Sequence, residues 1–330
     1  MARGRHEHGS PGGLHGRCPA LSPRSPDQDR HRLRRRTAGD DPGSAALKPM
    51  PRLLPAGSEV LPILTRLAGF AGVFFALLVV FAALIGDGTA SLAVEGTAIF
   101  VVALAATVIV LRLDGRRGLE VIGLPWSGFA RQLGWGLVLG VAFVVPAVAI
   151  AMGVGGLRYG PDAGTWIEYG GTGLWAALVL LVAATGEEIL VRGYPLRVLA
   201  DRWGRGAALV LTSLVFAALH GANPHVGALA LTNILLAGFL LGLICLKTGS
   251  LWLASGVHMG WNLATGFLAD LPVSGLKIVD APLIEVTRTG SPLVTGGEFG
   301  VEAGLAATVA MIIAILVVVR TGFLTPAQAI

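Results

Sequence analysis

The chain has 330 residues, of which 54% are hydrophobic and only 14% charged. A mean hydropathy of +0.72 excludes an ordinary soluble domain and leaves a membrane protein. The formal charge of +5 is carried entirely by residues 1–60, which hold eleven Arg or Lys against six Asp or Glu, so a nucleic-acid partner is a poor reading of it.

Those first 60 residues are rich in Pro, Gly, Arg and Ser and poor in aliphatic side chains, and they lack the basic-then-apolar layout of a signal peptide. They read as a disordered, basic cytoplasmic tail in which Arg34-Arg35-Arg36 can touch anionic lipid. Residues 61–330 read as a membrane domain. Cys18 in the tail and Cys245 in an apolar run suggest neither a disulfide framework nor a zinc site.

Apolar runs long enough to cross a bilayer, about 20 residues each, fall near 67–86, 96–112, 133–153, 174–196, 206–221, 228–246, 251–269 and 302–320. The fold class is therefore all-α and polytopic, with about eight transmembrane helices. Trp126 and Arg131 mark an interfacial stretch before the third run. Arg112, Arg116, Arg117 and Arg131 follow the second run. Arg192, Arg197, Arg202 and Arg205 surround the turn after the fourth, Lys247 follows the sixth, and Arg320 ends the eighth. The other side carries Asp87, Glu95, Asp162 and Glu168. This alternation predicts a multi-pass protein of the inner or plasma membrane with both termini in the cytoplasm. Residues 270–301 form a long outer loop suited to a partial lid or a small hairpin.

The chemistry is concentrated in three short patterns. Glu187 and Glu188 sit near the end of the fourth run, where carboxylates are expensive. Residues four apart share a helix face, so Arg192 can neutralise Glu188, while Glu187 points about 100° away and is the better base. Phe216 and His220 repeat the four-residue spacing, as do His258 and Asn262. His258 and Asn262 on one face offer two neutral donors to an oxyanion, and His220 can share a water with Glu187. Asn223, His225 and Asn233 are candidates for supporting hydrogen bonds. Gly186, Gly193, Gly221 and Gly260 permit close helix approach or bending.

Rival chemistries are visible in the same residues. Zinc could sit on His220 and His258 with a carboxylate as third ligand, although no His-Glu-x-x-His pattern is present. Ser255, just before His258, is a weaker candidate nucleophile. A non-catalytic scaffold, immunity factor or transporter would also bury polar groups, but the chain shows no matched halves.

With Glu187-Glu188-x-x-x-Arg192, Phe216-x-x-x-His220 and His258-x-x-x-Asn262 in this order, the chain resembles the CPBP family of intramembrane proteases, also known as the CAAX protease and bacteriocin-processing, or Abi, family. Leu246 to Trp252 fits the same pattern, and the resemblance covers about residues 125–270. It implies an intramembrane endopeptidase acting on a membrane-associated protein or peptide within the lipid bilayer, with no cofactor. Glu187 and His220 would then activate water, His258 and Asn262 would hold the oxyanion, and Glu188, Arg192 and Phe216 would support them.

One feature conflicts with straight spans. Glu187 then lies in the inner half and His220 near the outer end, and one site cannot be spread across about 20 Å. Either the helix ends lie elsewhere, or the segment around 206–225 is tilted, broken or re-entrant.

Overall fold

The computed structural model describes residues 60–85, 91–116 and 118–321. The expectations for the tail, for Asp87 and for Arg117 fall outside the described residues.

Among the described residues, eight main helices follow one another: α1 (Val60–Ile85), α2 (Leu92–Leu113), α3 (Phe129–Gly153), α4 (Trp166–Glu188), α5 (Tyr194–Leu219), α6 (Ala228–Thr248), α7 (Leu251–Leu263) and α8 (Leu305–Arg320). The runs Pro62–Ile85, Leu92–Leu113, Phe129–Gly153, Trp166–Leu219 and Ala228–Thr248 are long and apolar enough to cross a membrane, and Leu305–Arg320 is a shorter apolar helix. Large apolar side chains such as Phe75, Val79, Leu84 and Val138 face outward. That inversion of the soluble pattern suits a lipid environment. The protein is an all-α polytopic membrane protein.

The fourth span begins earlier than its hydropathy suggests. Thr165 caps α4: its hydroxyl accepts from the Glu168 amide at 3.3 Å, and the Glu168 carboxylate accepts from the Thr165 amide at 2.7 Å. This reciprocal arrangement satisfies two otherwise orphaned donors at the helix start.

The fourth span also ends later. A π-helical turn, Ile189–Gly193, joins α4 to α5 without a loop, and the helix continues to Gly204, whose φ of 83° and ψ of 163° break it. Glycine tolerates that positive φ without a Cβ clash. The chain then doubles back. Val191 packs with Phe216 and Ala217, and Leu199 lines a common cleft with Leu211 and Thr212. Positions 187 to 204 and 204 to 220 are 17 and 16 steps. At 1.5 Å per residue both arms are about 25 Å long, which returns His220 to the level of Glu187. The conflict between straight spans is thus resolved by a misplaced helix end. Tyr194 to Trp203 is a continuation of the fourth span, where the sequence suggested a turn.

Arg192 is accordingly no loop charge. It is fully buried on the helix, and Arg197 is almost as buried, donating to the Gly249 carbonyl at 3.1 Å.

Helices α3 and α7 meet backbone to backbone. A Cβ built on Gly140 would lie 2.2 Å from the Val257 carbonyl oxygen, and one on Gly260 would lie 2.3 Å from that of Leu137. Gly136 and Gly256 make the same approach. Small residues four apart allow this close contact. Because His258 and Asn262 are offset by two from Gly256 and Gly260, they lie on the opposite face of α7 and look toward α4. Gly186 serves α4 likewise: its Cβ would meet the Phe100 backbone of α2 at 2.7 Å.

The long loop contains a strand, but its partner lies far away in sequence. β2 (Ile284–Arg288) pairs antiparallel with β1 (Leu157–Pro161), Leu157 opposite Arg288 and Pro161 opposite Ile284. The Tyr159 hydroxyl donates to the Ala269 carbonyl at 3.1 Å, and burial together with the nearby Asp270 charge pushes its phenol up to about 12. The ribbon ties the loop to the start of α4, so the loop forms one wall of the space beside the motifs.

Candidate functional site

The α4–π-turn–α5 hairpin supplies five of the seven motif positions, Glu187, Glu188, Arg192, Phe216 and His220, and α7 supplies His258 and Asn262. Glu187 Oε2 lies 3.8 Å from His220 Nε2 and 3.9 Å from His258 Nε2. That oxygen is buried and has no hydrogen-bond partner among the described residues. Glu187, His220, His258 and Asn262 all line one cavity of about 340 Å³, together with Phe216 and Asn223.

Beneath the cavity lies a fully buried polar layer. Glu188 Oε1 accepts from Arg192 Nη1 at 2.9 Å and from His258 Nδ1 at 3.1 Å. Arg192 also donates to the Gly238 carbonyl at 3.2 Å, and its guanidinium carbon lies 4.1 Å from the centre of the Phe216 ring. Such a pair is tolerable away from water only because each charge has several partners. The Glu188–Arg192 pairing and the shared face of Phe216 and His220 follow the four-residue spacing. The Glu188–His258 bond does not; spacing within one helix is silent about contacts between helices.

The partners of the two imidazoles set their tautomers. His220 Nδ1 lies 2.8 Å from the Phe216 carbonyl oxygen, which can only accept, so Nδ1 carries the proton. His258 Nδ1 likewise donates to Glu188. In their neutral forms both rings present a bare Nε2 toward Glu187. This alters the expectation of two neutral oxyanion donors: Asn262 can donate as it stands, whereas His258 Nε2 donates only when the ring is doubly protonated.

The remaining sequence candidates are scattered. Asn223 reaches the cavity wall, donating to the Ser274 carbonyl at 3.0 Å. Asn233 points elsewhere, to the Glu302 and Gly304 carbonyls at 2.7 and 2.9 Å. His225 is exposed, outside the cavity. Ser255 is fully buried and its hydroxyl has no partner among the described residues, so it is not presented to a histidine as a nucleophile would be. Glu302, which sequence reading placed at the start of the last span, is a buried carboxylate beside the site. Its partners lie on distant segments, and no local pattern marks them.

An apolar cleft of about 370 Å³ opens between α1 and the α5 hairpin. It shares Phe74, Phe75, Leu190, Val191 and Leu219 with the polar cavity, so the two adjoin. Where α1 packs against its neighbours, Arg66 and the Tyr194 hydroxyl both bind the Asp114 carboxylate.

A polytopic helical bundle with glutamate, two histidines and asparagine around one cavity has the makings of a hydrolytic site. Residues 170–264, which carry all three motifs, match the family described as type II CAAX prenyl endopeptidase Rce1-like. The match agrees with the resemblance drawn from the motifs and supports a CAAX-type intramembrane protease as the general class. No curated protein matches the chain significantly.

Proposed function

We propose that this protein is an intramembrane endopeptidase that hydrolyses a peptide bond in a membrane-associated protein or peptide, using water activated by Glu187 and His220 and no metal ion. The observation that carries the proposal is the unpartnered Glu187 Oε2, poised 3.8 and 3.9 Å from two imidazole nitrogens within one cavity. Gaps of that size between polar groups suit a bridging water. Glu187 takes a proton from this water as its oxygen attacks the scissile carbonyl carbon, while His220 Nε2 holds the water in line. The carbonyl oxygen becomes an oxyanion, received by the Asn262 amide and by His258 in its doubly protonated form. The tetrahedral intermediate then collapses, the C–N bond breaks, and the proton held by Glu187 passes to the leaving amine.

Glu188 holds His258 in orientation, and Arg192 neutralises Glu188. The apolar cleft that adjoins the polar cavity supports a substrate that arrives from the bilayer. The basic residues Arg112, Arg131, Lys247 and Arg320 support an inner or plasma membrane location with both termini cytoplasmic.

A zinc mechanism has one observation in its favour. Both histidines have Nδ1 tied to an acceptor and Nε2 facing a carboxylate, as metal ligands do. However, among the described residues the trio whose ligand atoms lie within 4.8 Å of one another is Asp270, Asp280 and Glu285, outside this cavity. Metal analysis of active purified protein, with activity followed during chelation, separates the two readings. The metal-free mechanism requires turnover without stoichiometric zinc. Zinc retained with the active protein, and lost on replacing either histidine, would establish the rival.

A further inference from the structure

Glu302 lies outside the three motifs, yet its side chain is only 8% exposed, and among the described residues its hydrogen-bond donors are all neutral. Oε1 accepts from Trp261 Nε1 at 3.0 Å, and Oε2 accepts from the Ser274 amide at 2.7 Å and the Ser274 hydroxyl at 2.9 Å. Its backbone carbonyl accepts from Asn233 of α6. A buried carboxylate among neutral donors is costly unless those bonds are well made.

The partners belong to the walls of the site. Trp261 immediately precedes Asn262 and lies three residues after His258, on the helix that supplies both. Ser274 lines the main cavity and accepts from Asn223, three residues after His220. Behind His258 a niche of about 40 Å³ is bordered by Glu302, Ser274, Asn262 and both histidines. It is large enough for a water, which needs about 10–15 Å³ and two or more polar partners.

We propose that Glu302 is a positioning residue of the site: it clamps α7 to the Ser274 wall, and so fixes the direction of Asn262 and the width of the polar end of the cavity. As a clamp on an oxyanion donor it rests on the hydrolytic reading above; as a link between α7 and the loop it does not. Glu302 touches no reacting atom. Its contribution is to keep the donor within the small tolerance that an oxyanion site allows.

The test uses the full chain in nanodiscs, comparing Glu302→Gln, Trp261→Phe and the double variant. Glutamine keeps the shape but can accept at only one of its two terminal atoms, so at least one Ser274 or Trp261 donor loses its partner. Expected are a fall in kcat of about tenfold or more with KM nearly unchanged, little change in Tm, and a double variant no worse than the more damaged single one. Hydrogen exchange, read independently of turnover, should quicken around residues 258–276 and stay unchanged in α2. Wild-type kcat and exchange in Glu302→Gln would overturn the proposal. So would a loss of activity that merely follows a lowered Tm, or additive effects of the two substitutions. If the wild-type protein cleaves no substrate while exchange in Glu302→Gln still quickens, the hydrolytic reading fails and the clamp stands. Failure of exchange to respond removes the clamp whatever the turnover.

Discussion

Glu188 and His258, 70 positions apart in the chain, are joined by a 3.1 Å hydrogen bond between Oε1 and Nδ1. The same oxygen holds Arg192 at 2.9 Å. One carboxylate therefore orients a ring in the cavity and neutralises a wholly buried guanidinium. Glu188→Ala should destabilise the fold by about 3–5 kcal/mol, because it leaves Arg192 buried without its counter-charge. Thermal unfolding in detergent measures this, and the loss should greatly exceed that of Glu187→Gln.

Asn262 faces the cavity without a hydrogen bond of its own among the described residues. As an oxyanion donor it acts in the transition state. Asn262→Ala should lower kcat by about 10²–10³ with KM little changed. Steady-state kinetics on a cleaved substrate supply the comparison. An effect confined to KM would assign Asn262 to substrate binding.

The α3–α7 contact has no room for a methyl group at Gly140, where a Cβ would lie 2.2 Å from the Val257 carbonyl oxygen. Gly140→Ala should cost about 1–3 kcal/mol and displace α7. Gly134, on the same helix, has nothing within 4 Å of its would-be Cβ. Gly134→Ala should be neutral or slightly stabilising, since alanine is the better helix former by about 1 kcal/mol. Unfolding of the two variants in parallel separates packing from propensity.

In the loop beyond α7, burial raises the Asp270 carboxyl above its ordinary value, against the lowering effect of the Ala281 and Val286 amides. The folded protein then binds this proton more tightly than the unfolded chain. The resulting stabilisation is fully present below the ordinary Asp value and is lost as pH rises through the raised one. Asp270→Asn removes that dependence. Relative to wild type, the variant should gain stability as pH is raised from acid toward neutrality. Paired thermal unfolding curves across that range read the slope.

The helical faces were legible in the sequence and the helix ends were not. Four-residue spacing is a property of one helix, so Glu188–Arg192 and Phe216–His220 could be read from the chain alone. The extent of the fourth helix could not, because Arg197 and Arg202 make 194–203 look like a turn. Only the packing of the hairpin shows Arg197 buried against Gly249. The π-turn at Ile189–Gly193 leaves no hydropathy signal, since its residues are as apolar as the helix around them. The pairing of β1 with β2 and the contacts of Glu302 join distant segments, and no local pattern encodes a partner that far away. The offset of Gly256 and Gly260 from His258 and Asn262 was present in the sequence throughout. It becomes informative once α3 is known to occupy the glycine face.

The most direct test of the account is turnover of a membrane-associated substrate by wild type and by Glu187→Gln in the same membranes, at equal amounts of folded protein. Glutamine preserves size and hydrogen bonding but cannot take a proton from water. The account predicts that cleavage falls by about 10²–10⁴, with Tm near that of wild type. Undiminished cleavage by Glu187→Gln would contradict it.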